Sequence, residues 1–257
     1  MRILMSNNKA LQSGGKVMMN PTEIIKDSSL LYWYDPSRPE SYPGSGTNVY
    51  DLSGRGVNAT ISGSPVFTGN SFTCNSGDTL SATLNLPLTG PVYGATYDIT
   101  ITLWFKMSTT ARYQYPWMLN NGGGNLYFDI NDTDSGYHYQ TMWVYWNSGG
   151  SPLSALPLGA LGGTNSYSDF ITGSWWSYTF RRNVSASPYT EHFVNGVKIG
   201  TIERLGDQTG ELFYGGRLVL GNASLFIGDI GSSHAYGRAL SDAEIIANYN
   251  VEKNRFR

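Results

Sequence analysis

Cysteine occurs once in the 257 residues, at Cys74, so no intrachain disulfide can form and a small disulfide-stapled module is excluded. Charge is scarce as well: 14% of residues are Asp, Glu, Lys or Arg, and the net charge is −2. No Lys/Arg cluster marks a phosphate-binding face, which argues against a nucleic-acid partner. The three histidines, His138, His192 and His234, are far apart in sequence. No apolar run approaches the roughly 18 residues that a membrane helix needs. Met1 to Gly15 lacks the apolar stretch of a secretory leader. The Asn-x-Ser/Thr sequons at Asn58, Asn131, Asn183 and Asn222 therefore read as a by-product of polar loops. Synthesis and folding in a cytoplasm are expected.

Catalytic patterns are missing too. There is no Gly-x-Ser-x-Gly elbow and no His-Glu-x-x-His. No Glu-x-Asp occurs, and no Glu stands between Glu40 and Glu191. A retaining glycosidase needs two carboxyl groups about 5–5.5 Å apart. Glu-x-Asp-x-Glu on one strand supplies such a set, because alternate residues share a face. Cys74 has no nucleophile signature around it and is expected to be a buried thiol.

What the sequence does contain is glycine and aromatic residues: 31 Gly, 18 Tyr, 10 Phe and 7 Trp. Aromatic and β-branched side chains suit a half-buried pleated surface, and Gly supplies turns. Residues 1–27 read differently. They hold Ser13-Gly14-Gly15, four of the seven methionines and few aromatics, so they form no core of their own. We expect an N-terminal arm over residues 1–27 and one domain over 28–257. A free tail is the plainer alternative for the arm; docking on a partner or neighbouring subunit is the functional one.

From Leu30 onward, short apolar runs alternate with turn clusters. Ile99 to Phe105 alternates strictly, with Ile99, Ile101, Leu103 and Phe105 on one side. Asn125–Ile130 and Tyr137–Trp146 read as a hairpin around an Asp/Thr/Ser/Gly turn. Trp175 to Arg181, His192 to Val194, Val197 to Ile202 and Leu218 to Leu220 continue the series, with Asn195-Gly196 as a two-residue hairpin turn. Trp175 and Trp176 point oppositely, so one of them is expected at a surface, an interface or a rim. Ser241-Asp242-Ala243-Glu244 is a capping box, and Ile245, Ile246 and Tyr249 form an apolar stripe at helical spacing. Many short strands and one late helix imply a sandwich or barrel.

Three segments carry a family resemblance. One is Asp35-Pro36 through Ser41-Tyr42-Pro43-Gly44-Ser45-Gly46, with Asp51-Leu52-Ser53-Gly54. Another is Trp176 to Arg181 with Phe193-Val194-Asn195-Gly196-Val197. The last is Phe226-Ile227-Gly228-Asp229-Ile230 with Tyr236-Gly237-Arg238-Ala239-Leu240-Ser241-Asp242-Ala243-Glu244-Ile245 and Tyr249-Asn250. Together they resemble the laminin-G-like (pentraxin-like) branch of the concanavalin A-like lectin/glucanase superfamily over residues 28–257. The opening segment is similar to that of bacteriophage structural proteins carrying this domain. Ser233-His234-Ala235-Tyr236 departs from the family's more charged strand. The resemblance implies an all-β, concanavalin A-like jelly-roll β-sandwich with a short C-terminal helix and an extended N-terminal arm. It does not fix function, since the superfamily holds lectins, adhesins, glycosidases and virion appendages.

Two residue sets are candidates for chemistry. Sugars are held by aromatic faces under C–H groups and by polar side chains. Tyr137, Tyr139, Trp143 and Tyr145 share one face if their strand is regular. Core or interface packing is the plainer account of the same aromatics. Asp129, Asn131, Asp132 and Asp134 offer oxygens for calcium, without EF-hand spacing; a plain polar turn explains them as well. The expected function is a non-enzymatic virion structural protein of a bacteriophage: a head-fibre, capsid-decoration or tail-associated adhesion domain. It would be made in the host cytoplasm, anchored to other virion proteins by residues 1–27, and present as a homo-oligomer or in many copies. It would need no cofactor beyond that calcium, bind no membrane, and take host surface glycans as ligands. The alternatives are a stand-alone carbohydrate-binding module or lectin, and a glycosidase or lyase with an atypical site.

Overall fold

A computed structural model describes residues 12–13, 16–17, 23–83, 98–108, 114–120, 125–130, 141–146, 152–157, 173–183, 190–202, 217–221 and 226–256. Its strands, in chain order, begin with β1 (Gln12–Ser13), β2 (Lys16–Val17), β3 (Leu30–Tyr34), β4 (Asn48–Val49), β5 (Ala59–Ser62) and β6 (Val66–Phe67). There follow β7 (Phe72–Cys74), β8 (Thr79–Thr83), β9 (Ile99–Met107), β10 (Gln114–Asn120), β11 (Asn125–Ile130) and β12 (Thr141–Trp146). The last are β13 (Pro152–Pro157), β14 (Trp176–Arg182), β15 (Thr190–Val194), β16 (Val197–Ile202), β17 (Arg217–Leu220) and β18 (Gly228–Tyr236), then helix α1 (Asp242–Glu252).

Two antiparallel sheets form the domain. Sheet one runs β13-β12-β11-β10-β17-β8-β5-β4, and sheet two runs β16-β15-β14-β9-β18-β7-β6. β18 pairs with β9 on one side. On its other side it pairs with β7 over Gly228–Ile230 and with β3 over Ser233–Tyr236. Among the described residues, β1 and β2 pair with each other and with no further strand. The main core lies between the sheets, where Ile101, Leu103 and Phe105 of β9 share a cluster with Trp117, Leu218 and Leu220. Each such large apolar side chain contributes about 1.5–3 kcal/mol on burial.

The expected hairpins are present. β11 pairs with β12, and β15 pairs with β16 across Asn195-Gly196. Both turn residues are left-handed, with φ of 51° and 76°, as a type I′ turn requires. β9 departs from simple alternation because both of its faces are buried. Its outward residues lie beneath α1 and the chain end. There Thr100 Oγ1 donates to the Arg238 carbonyl at 2.9 Å, and Thr102 and Thr179 hydroxyls meet at 2.9 Å. Trp104 stacks on Tyr249 and Phe256, with centroids 5.5 and 4.8 Å away.

α1 begins at the expected capping box. The Glu244 N–H donates to Ser241 Oγ at 3.3 Å, and the Ser241 N–H donates to Glu244 Oε2 at 2.8 Å. Its inner stripe differs from expectation. Ile245, Asn248 and Glu252 are buried, whereas Ile246 is 45% exposed. The helix rests partly on polar partners, so its inward face is not wholly apolar. The Arg238 guanidinium forks onto Glu244 at 2.7 and 2.9 Å. That pairing holds the Glu244 carboxyl down at about 2. Its stabilising contribution is therefore fully present above the ordinary glutamate value of 4.5 and lost as pH falls towards about 2. Glu244→Gln, which keeps the cap but not the charge, is expected to cost under about 1 kcal/mol at pH 7. It should also flatten the loss of melting temperature between those pH values, as read by circular dichroism.

Residues 23–27, grouped with the arm on sequence grounds, pack against this same face. Ile24 is buried, the Ile25 N–H donates to Asn248 Oδ1 at 2.9 Å, and the Tyr236 hydroxyl donates to the Ile25 carbonyl at 2.7 Å. Lys26 and Arg38 both sit over the Trp33 ring, 4.7 and 4.8 Å from its centroid. The root of the arm is thus fastened to β18 and α1.

Candidate functional site

The register of sheet one sorts its residues between two faces. Trp117 pairs with Leu220, Leu119 with Leu218, and Leu218 and Leu220 with Ala82 and Leu80. Trp117, Leu218, Leu220, Leu80 and Ala82 all belong to the core cluster, which fixes this set as the inward face. Trp117 also pairs with Phe128, which pairs with Val144. The alternate positions therefore lie on the outward face. Met118 pairs with Tyr127, Tyr127 with Tyr145, and Asp129 with Trp143. Two of the aromatic positions singled out in the sequence, Trp143 and Tyr145, thus share the outward face with Asp129. Tyr127 joins them, and sequence reasoning did not pick it out. Its signal was the alternation of Tyr127 and Asp129 within Asn125–Ile130. Tyr137, Tyr139, Asn131, Asp132 and Asp134 lie outside the described residues.

The buried carboxylates have internal partners. Asp35 is bound by Arg255, Arg38 and Ser37. Asp78 accepts the Ser64 and Asn75 N–H groups at 2.6 and 2.8 Å. Glu191 is held by Arg181 and by Lys198 at 2.6 Å, and Asp229 by Thr73 and by Lys106 at 2.5 Å. Glu252 accepts from Trp104 Nε1 at 2.7 Å and Ser232 Oγ at 2.6 Å, with Arg255 at 3.1 Å and His234 at 3.5 Å. Such groups tie elements together, with each charge matched by a cation or a donor. Cys74 is buried, as expected, and burial pushes its thiol up to about 12, where the reactive thiolate is not populated at neutral pH. Burial pushes His192 down to about 3, and its Nδ1 meets the Tyr178 hydroxyl at 2.7 Å. Among the described residues, no three His, Cys, Asp or Glu side chains come together as metal ligands. No described helix is long and apolar enough to cross a membrane.

Antiparallel sheets of this order, closed by a C-terminal helix after β18, have relatives. Residues 75–246 match the laminin G model of the concanavalin A-like lectin/glucanases superfamily, which covers more than half of the chain. The chain belongs to that superfamily. Among solved structures, this concanavalin A-like domain is similar to the receptor-binding domain of the botulinum neurotoxin C/D mosaic serotype, with a TM-score of 0.58 and 16% identity over 86% of this chain and 51% of that one. It is also similar to the binding domain of botulinum neurotoxin DC in complex with rat synaptotagmin II, with a TM-score of 0.59 and 14% identity over 86% and 51% of the two chains. The same neurotoxin binding domain in complex with SialylT gives a TM-score of 0.59 and 14% identity over 87% and 51%. The chain spans about half the length of these toxin domains, and at such identities the likeness is one of fold. Among curated proteins, no relative matches the sequence.

Proposed function

We propose that the chain is a non-catalytic attachment domain that takes host surface glycans on the outward face of sheet one. The observation that carries this reading is the β11–β12 register, in which Asp129 pairs with Trp143 and Tyr127 with Tyr145. Aromatic faces receive the C–H side of a sugar ring, and a carboxylate accepts from its hydroxyls. The lectins of the superfamily support it, as do the neurotoxin binding domains with their glycan and protein partners. The domain is carried on a bacteriophage virion through residues 1–27, as a head-fibre, capsid-decoration or tail-associated protein in several copies. The phage-like segment from Asp35 to Gly54 and the fastened root at residues 23–27 support that part.

A glycan array tests the binding. Trp143→Ala with Tyr145→Ala is expected to weaken wild-type binding at least about tenfold, equivalent to about 1.4 kcal/mol. Binding should survive chelation by EDTA. Release of reducing ends or unsaturated sugars, lost in Asp129→Asn or Asp132→Asn, would overturn the non-catalytic reading. Recovery of the full chain, but not a 28–257 fragment that binds the same glycans, in purified virions tests the carrier and the arm.

A further inference from the structure

The outer face of sheet two is covered by α1, by the root of the arm and by Phe256, and among the described residues one transverse row runs from the edge of that cover, at Trp175, to the exposed Val66. The register sets it out: Val66 pairs with Thr73, Thr73 with Asp229, and Asp229 with Lys106. Trp176 pairs with Phe105, so Trp175 stands level with Lys106 at the row's end. At about 4.8 Å per strand, the row measures roughly 19 Å from Val66 to Trp175.

The row's chemistry is specific. Val66 is 59% exposed, Thr73, Lys106 and Trp175 are each half-buried, and Asp229 is buried. Lys106 Nζ bonds Asp229 Oδ2 at 2.5 Å and lies 5.4 Å from the Trp175 ring centroid. Thr73 donates its hydroxyl to Asp229 Oδ1. The Trp175 ring packs against Phe256 at a tilt, with centroids 4.8 Å apart. The indole is thus fixed in place but not enclosed, unlike Trp104. The cation and the anion cancel, so the row has no net charge with which to select a phosphate or sulfate. It offers instead a rigid aromatic ring, an ammonium donor and a hydroxyl, the last two set in place by the buried Asp229 carboxylate. A neutral polyhydroxylated chain answers to that set.

We propose that the row Val66–Thr73–Asp229–Lys106–Trp175 is a second glycan subsite, selective for neutral oligosaccharides, on the sheet opposite the first. It rests on the reading of the domain as a glycan binder. The test uses the full chain on an array of neutral and acidic oligosaccharides, with the strongest neutral binder then titrated by calorimetry. Val66→Arg blocks the exposed end of the row without touching packed atoms, and Trp175→Ala removes the platform. Each is expected to lower affinity for neutral oligosaccharides about tenfold, with the Val66→Arg melting temperature unchanged. Wild-type affinity in both variants, or wild-type binding confined to acidic glycans, overturns the subsite. Loss only in the Trp143→Ala, Tyr145→Ala variant removes the subsite and leaves the sheet-one face standing. Loss only in the row variants does the reverse, and a wild-type chain that binds no glycan removes both.

Discussion

Glu252→Ala is expected to destabilise the domain by about 3–5 kcal/mol, the usual consequence of removing one partner from a buried charged network. Glu252 is fully buried at the last turn of α1 and joins three parts of the chain. It receives Trp104 Nε1 from β9 and Ser232 Oγ from β18, and pairs with Arg255 beyond the helix. Alanine leaves Trp104 Nε1, Ser232 Oγ and His234 without this anion, and Arg255 with Asp35 as its anion. Burial by itself raises the Glu252 carboxyl, but the contacts from His234, Arg255 and Ser232 outweigh it and hold the group below its ordinary 4.5. The stability it brings is therefore present above pH 4.5 and lost on acidification below it. Urea titration at pH 7 and near pH 4 measures both effects, and the variant should lose less between the two than wild type does. A cost under about 1 kcal/mol would reduce the cluster to an ordinary surface ion pair.

Gly231→Ala carries the second large effect. A Cβ at this position would stand 2.5 Å from Phe256 Cε1 and 2.8 Å from its Cζ. Gly231 lies where the β18 register slips between Ile230 and Ser233, and Phe256 fills the dent this makes. Phe256 stacks on Trp104 and leans on Trp175, so expelling it opens the end of the helix layer. The expected cost is about 2–4 kcal/mol, approaching that of a buried Phe→Ala change. The decisive comparison is a double-mutant cycle. In a Phe256→Ala background the same Gly231→Ala change should cost much less, because only the Trp175 Cζ3 contact at 3.2 Å is left. Equal costs in both backgrounds would show that the glycine serves the strand rather than the ring.

Local chemistry made much of the fold readable. Asn195-Gly196, Ser241 with Glu244, and the alternation in Ile99–Phe105 each depend on a few adjacent residues, and each stands where expected. The failures have a common origin in layers stacked on sheet two. Thr100, Thr102 and Trp104 look like a solvent face but are buried by elements over a hundred residues away. Ile246 looks like core, yet Asn248 and Glu252 take that side because polar partners wait beneath them. Trp175 and Trp176 point apart, as reasoned, but both are half-buried, since Phe256 shelters the outward one. In the candidate sites, Trp143 with Tyr145 was legible because alternation is local. Tyr127 and the row from Val66 to Trp175 were not, because only long-range pairing aligns them.

The placing of β18 bears on when the molecule can fold during its synthesis. β18 lies between β9 on one side and β7 and β3 on the other, so three earlier strands wait for residues 228–236. The layer over sheet two then waits for Phe256. A nascent chain has no stable half to set aside, and contacts so distant in sequence form slowly. Until residues 228–236 have been made, β9 can pair with β14 on one edge only, and its open edge leaves an aromatic-rich sheet exposed to aggregation.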